Sequence, residues 1–170
     1  LNVRSRPQLA ARSRGGGGGI SYGSSGVGTS NHLAGELFRM RTGLEMTHVP
    51  YRGGGPVLND IVAGTIQLAF MNLPTVAPPA REGRVHILGV CTGERVSSRP
   101  DIPTVQEQGV ADYAVRSWTG LFAPRGTPAE VLERLAAAMR AALAVPAVRD
   151  RLLATGSEPL DMGPAETDAF

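Results

Sequence analysis

Ser21-Tyr22-Gly23-Ser24-Ser25-Gly26-Val27-Gly28-Thr29-Ser30-Asn31-His32-Leu33 is the stretch whose reading decides the fold. A short strand, Ile20 to Tyr22, runs through a turn of glycines and hydroxyl residues into an amphipathic helix. Small residues let the backbone turn sharply and leave its N–H groups exposed, Ser24, Ser25, Thr29 and Ser30 bring hydroxyl donors, and the helix offers its positive dipole end. Together these make a seat for a carboxylate or a phosphate. The same residues also suit a plain strand-to-helix connection in which Thr29 or Ser30 is the N-cap, and the surrounding chain has to decide between the two.

Working outward, the design repeats. Leu33, Leu37 and Met40 give the first helix an apolar stripe, with Ala34 and Phe38 beside it, and Gly43 ends it. Met46 to Val49 is a second strand, Pro50-Tyr51-Arg52-Gly53-Gly54-Gly55-Pro56 a second glycine-rich turn, and Val57, Leu58, Ile61 and Val62 a second helical stripe closed by Gly64. Ile66 to Met71 alternates as a third strand, followed by the turn Asn72-Leu73-Pro74-Thr75 and a short segment ending at Gly83. Val85 to Cys91 is an apolar run of strand length, of the kind a parallel strand covered on both faces carries. The fold class expected is therefore α/β, a mainly parallel sheet flanked by helices with both glycine turns at one edge.

Beyond this, Arg99 to Thr104 is a proline-stiffened loop, Val105 to Gln108 a helical turn, and Ala114 to Ala123 a strand or crossing segment. Thr127-Pro128-Ala129-Glu130 combines an N-cap, a first-turn proline and a capping-box glutamate. The helix it opens has a broad apolar stripe of Val131, Leu132, Leu135, Ala138, Met139, Ala142 and Leu143, and Pro146 ends it and opens another running to Thr155-Gly156. At the other end, Val3 to Arg14 reads as a short helix stopped by Gly15 to Gly19.

Composition removes several functions. All 17 basic residues are Arg, so a P-loop lysine, a Schiff-base lysine and a lysine general base are excluded. The net charge of +2 is unevenly spread, with Arg4, Arg6, Arg12 and Arg14 crowded at the start, but only Tyr22 lies near them. Nucleic-acid binding wants arginines interleaved with aromatics, so no nucleic-acid partner is expected. Cys91 is the one cysteine, which rules out a disulfide within the chain and a cysteine-based zinc site. No apolar run reaches the length of a membrane span, so direct membrane insertion is not expected, and no basic-then-apolar leader follows Leu1.

Catalytic motifs also fail. Gly-x-Ser-x-Gly centred on Ser25 meets Val27 at its fifth position, and Gly-x-Gly-x-x-Gly from Gly26 meets Asn31 where its last glycine belongs. His32, His48 and His86 share no ligand spacing, so neither a metal nor a cofactor is expected.

Taken in order, several motifs carry a resemblance. They are Tyr22-Gly23-Ser24-Ser25-Gly26-x-Gly28-Thr29, His32-Leu33-Ala34-Gly35-Glu36-Leu37-Phe38, His48-Val49-Pro50-Tyr51-Arg52-Gly53, Phe70-x-Asn72-Leu73-Pro74, Pro103-Thr104-Val105 and Trp118-x-Gly120-Leu121-Phe122-Ala123-Pro124-x-Gly126-Thr127-Pro128. This series resembles the Bug family, the substrate-binding proteins of tripartite tricarboxylate transporters, over most of residues 21–159.

The resemblance implies a type II periplasmic-binding-protein-like lobe in a two-lobed, flytrap-like protein. Such a protein captures a small organic carboxylate without catalysis and delivers it to membrane permease subunits, and periplasmic localisation is implied with it. By the same analogy Ser24, Ser25, Gly28, Thr29 and Ser30 take the carboxylate, with Tyr51, Gly53, Gly54 and Asn72 lining the same edge. Met71 stands where members of the family often carry Asp, which argues against a ligand with an ammonium group.

The implied division is residues 1–19 as a truncated N-terminal helix and Gly-rich connection, 20–118 as the second ligand-binding lobe, and 119–170 as the crossover and C-terminal helices of an incomplete first lobe. On this expectation the chain is a fragment, and Val131, Leu135, Met139 and Leu143 form an apolar stripe whose partner surface lies outside it. Two other readings stay open: a small acyl- or phosphate-handling enzyme using Ser25 or His32, and an interaction domain whose glycine turns bind nothing.

Overall fold

A computed structural model of the chain describes residues 19–169. The helix expected over Val3 to Arg14 and most of its glycine stop lie outside the described residues. Three parallel strands, β1 (Ile20–Ser24), β2 (Met46–Pro50) and β3 (Leu68–Ala69), form a sheet in the order β2-β1-β3. They are joined by α1 (Ser30–Thr42) and α2 (Gly54–Ala63), and α3 (Leu73–Arg81) follows β3. The formal third strand is shorter than expected, but the pairing continues at both its ends, with Gln67 N–H donating to the Ser21 carbonyl at 3.2 Å and Phe70 N–H to the Gly23 carbonyl at 3.0 Å.

Alternate residues of β1 show why helices cover both faces. Tyr22 points toward α1, where its ring fills the space in front of Gly35, while the next residue, Gly23, faces α2 and Ile66. A Cβ on Gly23 would stand 2.9 Å from Val57 Cγ1 and 2.6 Å from Ile66 Cδ1. Tyr22, Val57 and Ile66 are buried accordingly. On the α1 side the core continues through Ile20, Ala34, Phe38, Leu44 and Phe70 to Val110 and Tyr113.

The buried stripe of α1 is not the one the apolar spacing suggests. Leu33 and Met40 are 57% and 72% exposed, Leu37 is half-buried, and the inward positions are Asn31, Ala34, Gly35 and Phe38. Close approach to the Tyr22 ring selects the face: only the side carrying Ala34 and Gly35 lets the helix come so near. Gly43 ends α1 as expected, in the left-handed region at φ 65°, with its N–H on the Arg39 carbonyl at 2.9 Å.

Three other expectations need correction. Asn72 to Thr75 is not a simple turn, because Asn72 caps α3, a helix of nine residues with Pro74 in its first turn. Val85 to Cys91 does not join the sheet; its regular pairing is one parallel bridge, Val90 to Thr104. Pro100 and Pro103, both just before Thr104, lack the N–H groups with which a ladder would extend in that direction. The capping box at Thr127 does not form, since Thr127 Oγ1 donates to the Pro124 carbonyl at 2.7 Å and Pro128 becomes the N-cap of the next helix.

The chain divides into two compact units between Ser117 and Trp118. Residues 114–123 form neither a strand nor a helix. In the second unit α4 (Ala129–Ala144) and α5 (Pro146–Ala154) pack together around Val145, and α6 (Pro164–Ala169) follows. No residue of α4 is buried, and Val131, Leu135 and Met139 are each about two-fifths exposed. No helix among the described residues is long and apolar enough to cross a membrane.

Candidate functional site

β1 and β2 pair in register to their last residues, with Ser24 opposite Pro50, so the turns after them leave the sheet at the same edge. Backbone bonds then tie the turns together: Tyr51 N–H donates to the Ser24 carbonyl and Gly53 N–H to the Ser25 carbonyl, both at 3.1 Å. A Cβ on Gly26 would lie 3.3 Å from the Tyr51 carbonyl oxygen, and its φ of 138° is one that only glycine adopts readily. The third turn arrives beside them, because β3 pairs with β1 on its other side. A Cβ on Gly54, at the start of α2, would lie 3.5 Å from Thr75 Cγ2, in the first turn of α3. Three helix N-termini therefore share one edge of the sheet, at the carboxyl ends of its strands, as expected for the two glycine turns.

Thr29 is the N-cap of α1; its Oγ1 accepts from His32 N–H at 3.3 Å and donates to the Gly26 carbonyl at 2.8 Å. Leu33 N–H closes the first turn onto the Thr29 carbonyl. Among the described residues this leaves the N–H groups of Ser30 and Asn31 without an acceptor, and likewise those of Gly54 and Gly55 at the start of α2 and Leu73 at the start of α3. Five donors backed by three positive dipole ends are a chemistry for anions such as a carboxylate or a phosphate. Arg52, exposed beside Gly53, adds a guanidinium that forms no ion pair among the described residues.

A concavity of about 450 Å³ lies elsewhere, at the opposite edge, around Gly19, Gly43, Glu45 and Met46. Its cation, Arg39, is already held by Glu36 at 2.8 Å, so this hollow lacks the donors that the other edge offers.

All nine expected ligand-binding residues sit on these three turns, but most of their hydroxyl groups are engaged. Ser24 is fully buried, with Oγ 2.7 Å from His48 Nε2. Ser25 Oγ accepts from Asn31 Nδ2 at 2.7 Å, and Ser30 Oγ donates to Ser117 Oγ at 3.2 Å. Gly28 N–H is taken by His32 Nδ1 at 3.1 Å. Tyr51 donates its phenol to Asp60 at 2.6 Å, and that bond, with a smaller contribution from burial, pushes its pKa up to about 12. Asp60 lies six residues into α2, about 9 Å along its axis, so this hydroxyl reaches away from the seat. Asn72 is exposed and Gly53 and Gly54 present backbone alone. The site is built from main chain, and the hydroxyl residues hold the main chain in place.

The linear sequence hid a stack of rings behind the first turn. His32 and His48 lie with centroids 4.0 Å apart, nearly parallel, and His48 stacks in turn on Tyr22 at 5.0 Å. Tyr22 and His48 are register partners on neighbouring parallel strands, which places them side by side on one face. Burial, and secondarily the nearness of His32, hold His48 below the usual histidine range. Tyr22 donates to Glu36 at 2.6 Å, and burial together with that bond raises its pKa well above the ordinary phenol value. Glu36, bonded first to Arg39 and then to Tyr22, is held below the usual carboxylate range.

Comparison with known proteins fits this geometry. The model of the tripartite tricarboxylate transporter family receptor matches residues 7–170. The chain belongs to this receptor family. It is 39% identical over 150 residues to the UPF0065 protein in the tcbD-tcbE intergenic region of Pseudomonas sp. strain P51, covering 88% of this chain and 45% of that protein.

Among solved structures, R. palustris Rpa4515 with adipate superimposes with a TM-score of 0.94 at 35% identity, over 99% of this chain and 56% of that one. MatC from Rhodopseudomonas palustris with bound malate gives 0.80 at 32% identity, over 91% and 53%. The α/β architecture is thus that of the family's binding proteins, and the chain spans about half the length of the curated relatives it matches first.

Proposed function

We propose that residues 20–118 are one ligand-binding lobe of a periplasmic receptor that captures a small organic carboxylate between two lobes and passes it to membrane permease subunits without chemical change. On this reading residues 119–170 form the crossover and C-terminal helices that belong with the other lobe. The observation that carries the proposal is the set of five N–H groups without acceptors, contributed by three helix N-termini to one edge. Backbone donors of this kind bind a carboxylate without selecting its chain, which suits a family whose structures include one with adipate and one with malate. The side chains of Ser24, Ser25, Thr29 and Tyr51 act chiefly by shaping the seat, and Arg52 adds attraction over a longer range.

An enzymatic reading through Ser25 or His32 lacks a working pair. The Ser25 hydroxyl is met by an amide, Asn31, and not by a base. Among the described residues the serine hydrogen-bonded to a histidine ring, Ser24 with His48, is fully buried and closed to substrate.

The test is calorimetry or NMR titration of the 170-residue chain with adipate, malate and the uncharged adipamide. One lobe's donors must offset an association cost of about 4 kcal/mol or more, so binding of the two dicarboxylates in the millimolar range is expected, with none of adipamide. Equal binding of adipamide, or conversion of any of the three, would overturn the proposal.

A further inference from the structure

His32 occupies a position that a packing role does not explain. It stands in the first turn of α1, half-exposed, with one face on His48 and its Nδ1 accepting the Gly28 N–H at 3.1 Å. An accepting Nδ1 carries no proton, so the neutral ring has its hydrogen on Nε2. Gly28, at φ 78° with no atom within 4 Å of where its Cβ would be, is held in the turn by this bond and by no side-chain packing of its own.

We propose that His32 is the proton-linked positioning residue of the carboxylate seat: neutral, it sequesters the Gly28 N–H; protonated, it releases that N–H and turns Nδ1 into a second donor, so that a carboxylate bound at the α1 N-terminus takes up a proton at His32. The proposal rests on the carboxylate reading above.

The neighbours fix which ring takes the proton. From β2, His48 lies 4.0 Å away and a second charge at that distance is strongly opposed; its Nε2 is engaged with Ser24 and its burial lowers its proton affinity. From β1, Tyr22 is reached only through His48, and its phenol stays protonated against Glu36. On α1 itself, Glu36 one turn on is anionic and bound by Arg39. The positive end of α1 opposes protonation while the seat is empty, and a bound anion removes that opposition. From the Ser117 side Ser30 meets only a hydroxyl. The Gly28 N–H is given up cheaply because it is exposed and water can replace the ring nitrogen.

Two readouts on the 170-residue chain test this. Without ligand, ¹⁵N NMR should show His32 with an unprotonated Nδ1 at neutral pH and the Gly28 amide moving in step with the His32 ring as pH falls. With adipate as the probe, affinity should rise about tenfold between about pH 8 and pH 5.5, and calorimetry in two buffers of different ionisation enthalpy should show net proton uptake.

His32→Asn keeps an acceptor near the Nδ1 position but cannot take up a proton. Its adipate affinity should therefore change with pH only as far as adipate itself titrates. A Gly28 amide indifferent to the His32 ring overturns the proposal with or without a ligand. Adipate binding with no proton uptake, in a chain whose Gly28 does follow His32, overturns the coupling alone. If Gly28 follows His32 and adipate does not bind, the carboxylate reading falls and the proposal with it.

Discussion

Gly35 sets the orientation of α1, and through it the position of every group on the first turn. Its missing side chain leaves room for the Tyr22 ring, whose Cζ would stand 2.8 Å from a Cβ there, with Cε2 closer still. Gly35→Ala is expected to destabilise the chain by about 1–3 kcal/mol through overpacking, read as a lower midpoint in urea denaturation with an unchanged slope. Gly55→Ala, where a Cβ meets nothing within 4 Å, should be neutral or slightly stabilising and serves as the control. A Gly35→Ala chain as stable as the parent would mean that α1 does not depend on this contact.

The sequence could not announce Gly35's role, because a glycine inside a helical pattern looks like a tolerated weakness. Here the nearest ring comes from β1, thirteen residues earlier. The same holds for His32 and His48, whose meeting needs both the strand register and the helix face to be known.

At the scale of elements, each strand-turn-helix unit is legible where local rules govern it and obscure where distant partners do. Gly43 and Gly64 end α1 and α2 where expected, both in the left-handed region. The stripe on α1 was misplaced by one position because Leu33 and Met40 are more apolar than Ala34 and Gly35, whereas packing rewards small residues at a close crossing. Residues 85–117 resisted reading for another reason: their prolines cut the pairing to one bridge, and they fold on the core through Tyr113, which donates to the Ala34 carbonyl at 3.0 Å.

Within the second strand-turn-helix segment, the Tyr51 to Asp60 bond clips the turn to the flank of α2. Because the anionic acceptor favours the protonated phenol, ionisation of Tyr51 should centre near pH 12 in the parent chain. In Asp60→Asn it should fall back toward about 10. Ultraviolet difference titration against Tyr51→Phe isolates this phenol, and an unshifted value in Asp60→Asn would show that the bond is not what holds the proton.

For the molecule as a whole, the sheet order β2-β1-β3 does the work of assembly. The chain moves from β1 to one side and then crosses to the other, so successive turns meet at the switch point between strands, where open α/β sheets bind their ligands. That convergence was readable from two glycine turns in one chain; the third N-terminus, at Leu73, was not, because Asn72 to Thr75 looked like a simple turn. The division of labour in the site was also hidden. Hydroxyl residues that look like ligand donors in the sequence are spent on caps and turn bonds, and the donors left over are backbone N–H groups, which the small residues of the glycine turns had pointed to without saying which ones stay free.

Amide shift mapping of the ¹⁵N-labelled chain during titration with adipate tests this claim most directly. The account predicts that the amides of Ser30, Asn31, Gly54, Gly55 and Leu73 shift together along one binding curve. Shifts confined to the opposite edge around Gly43 and Glu45, or none at adipate concentrations up to about 10 mM, would contradict it.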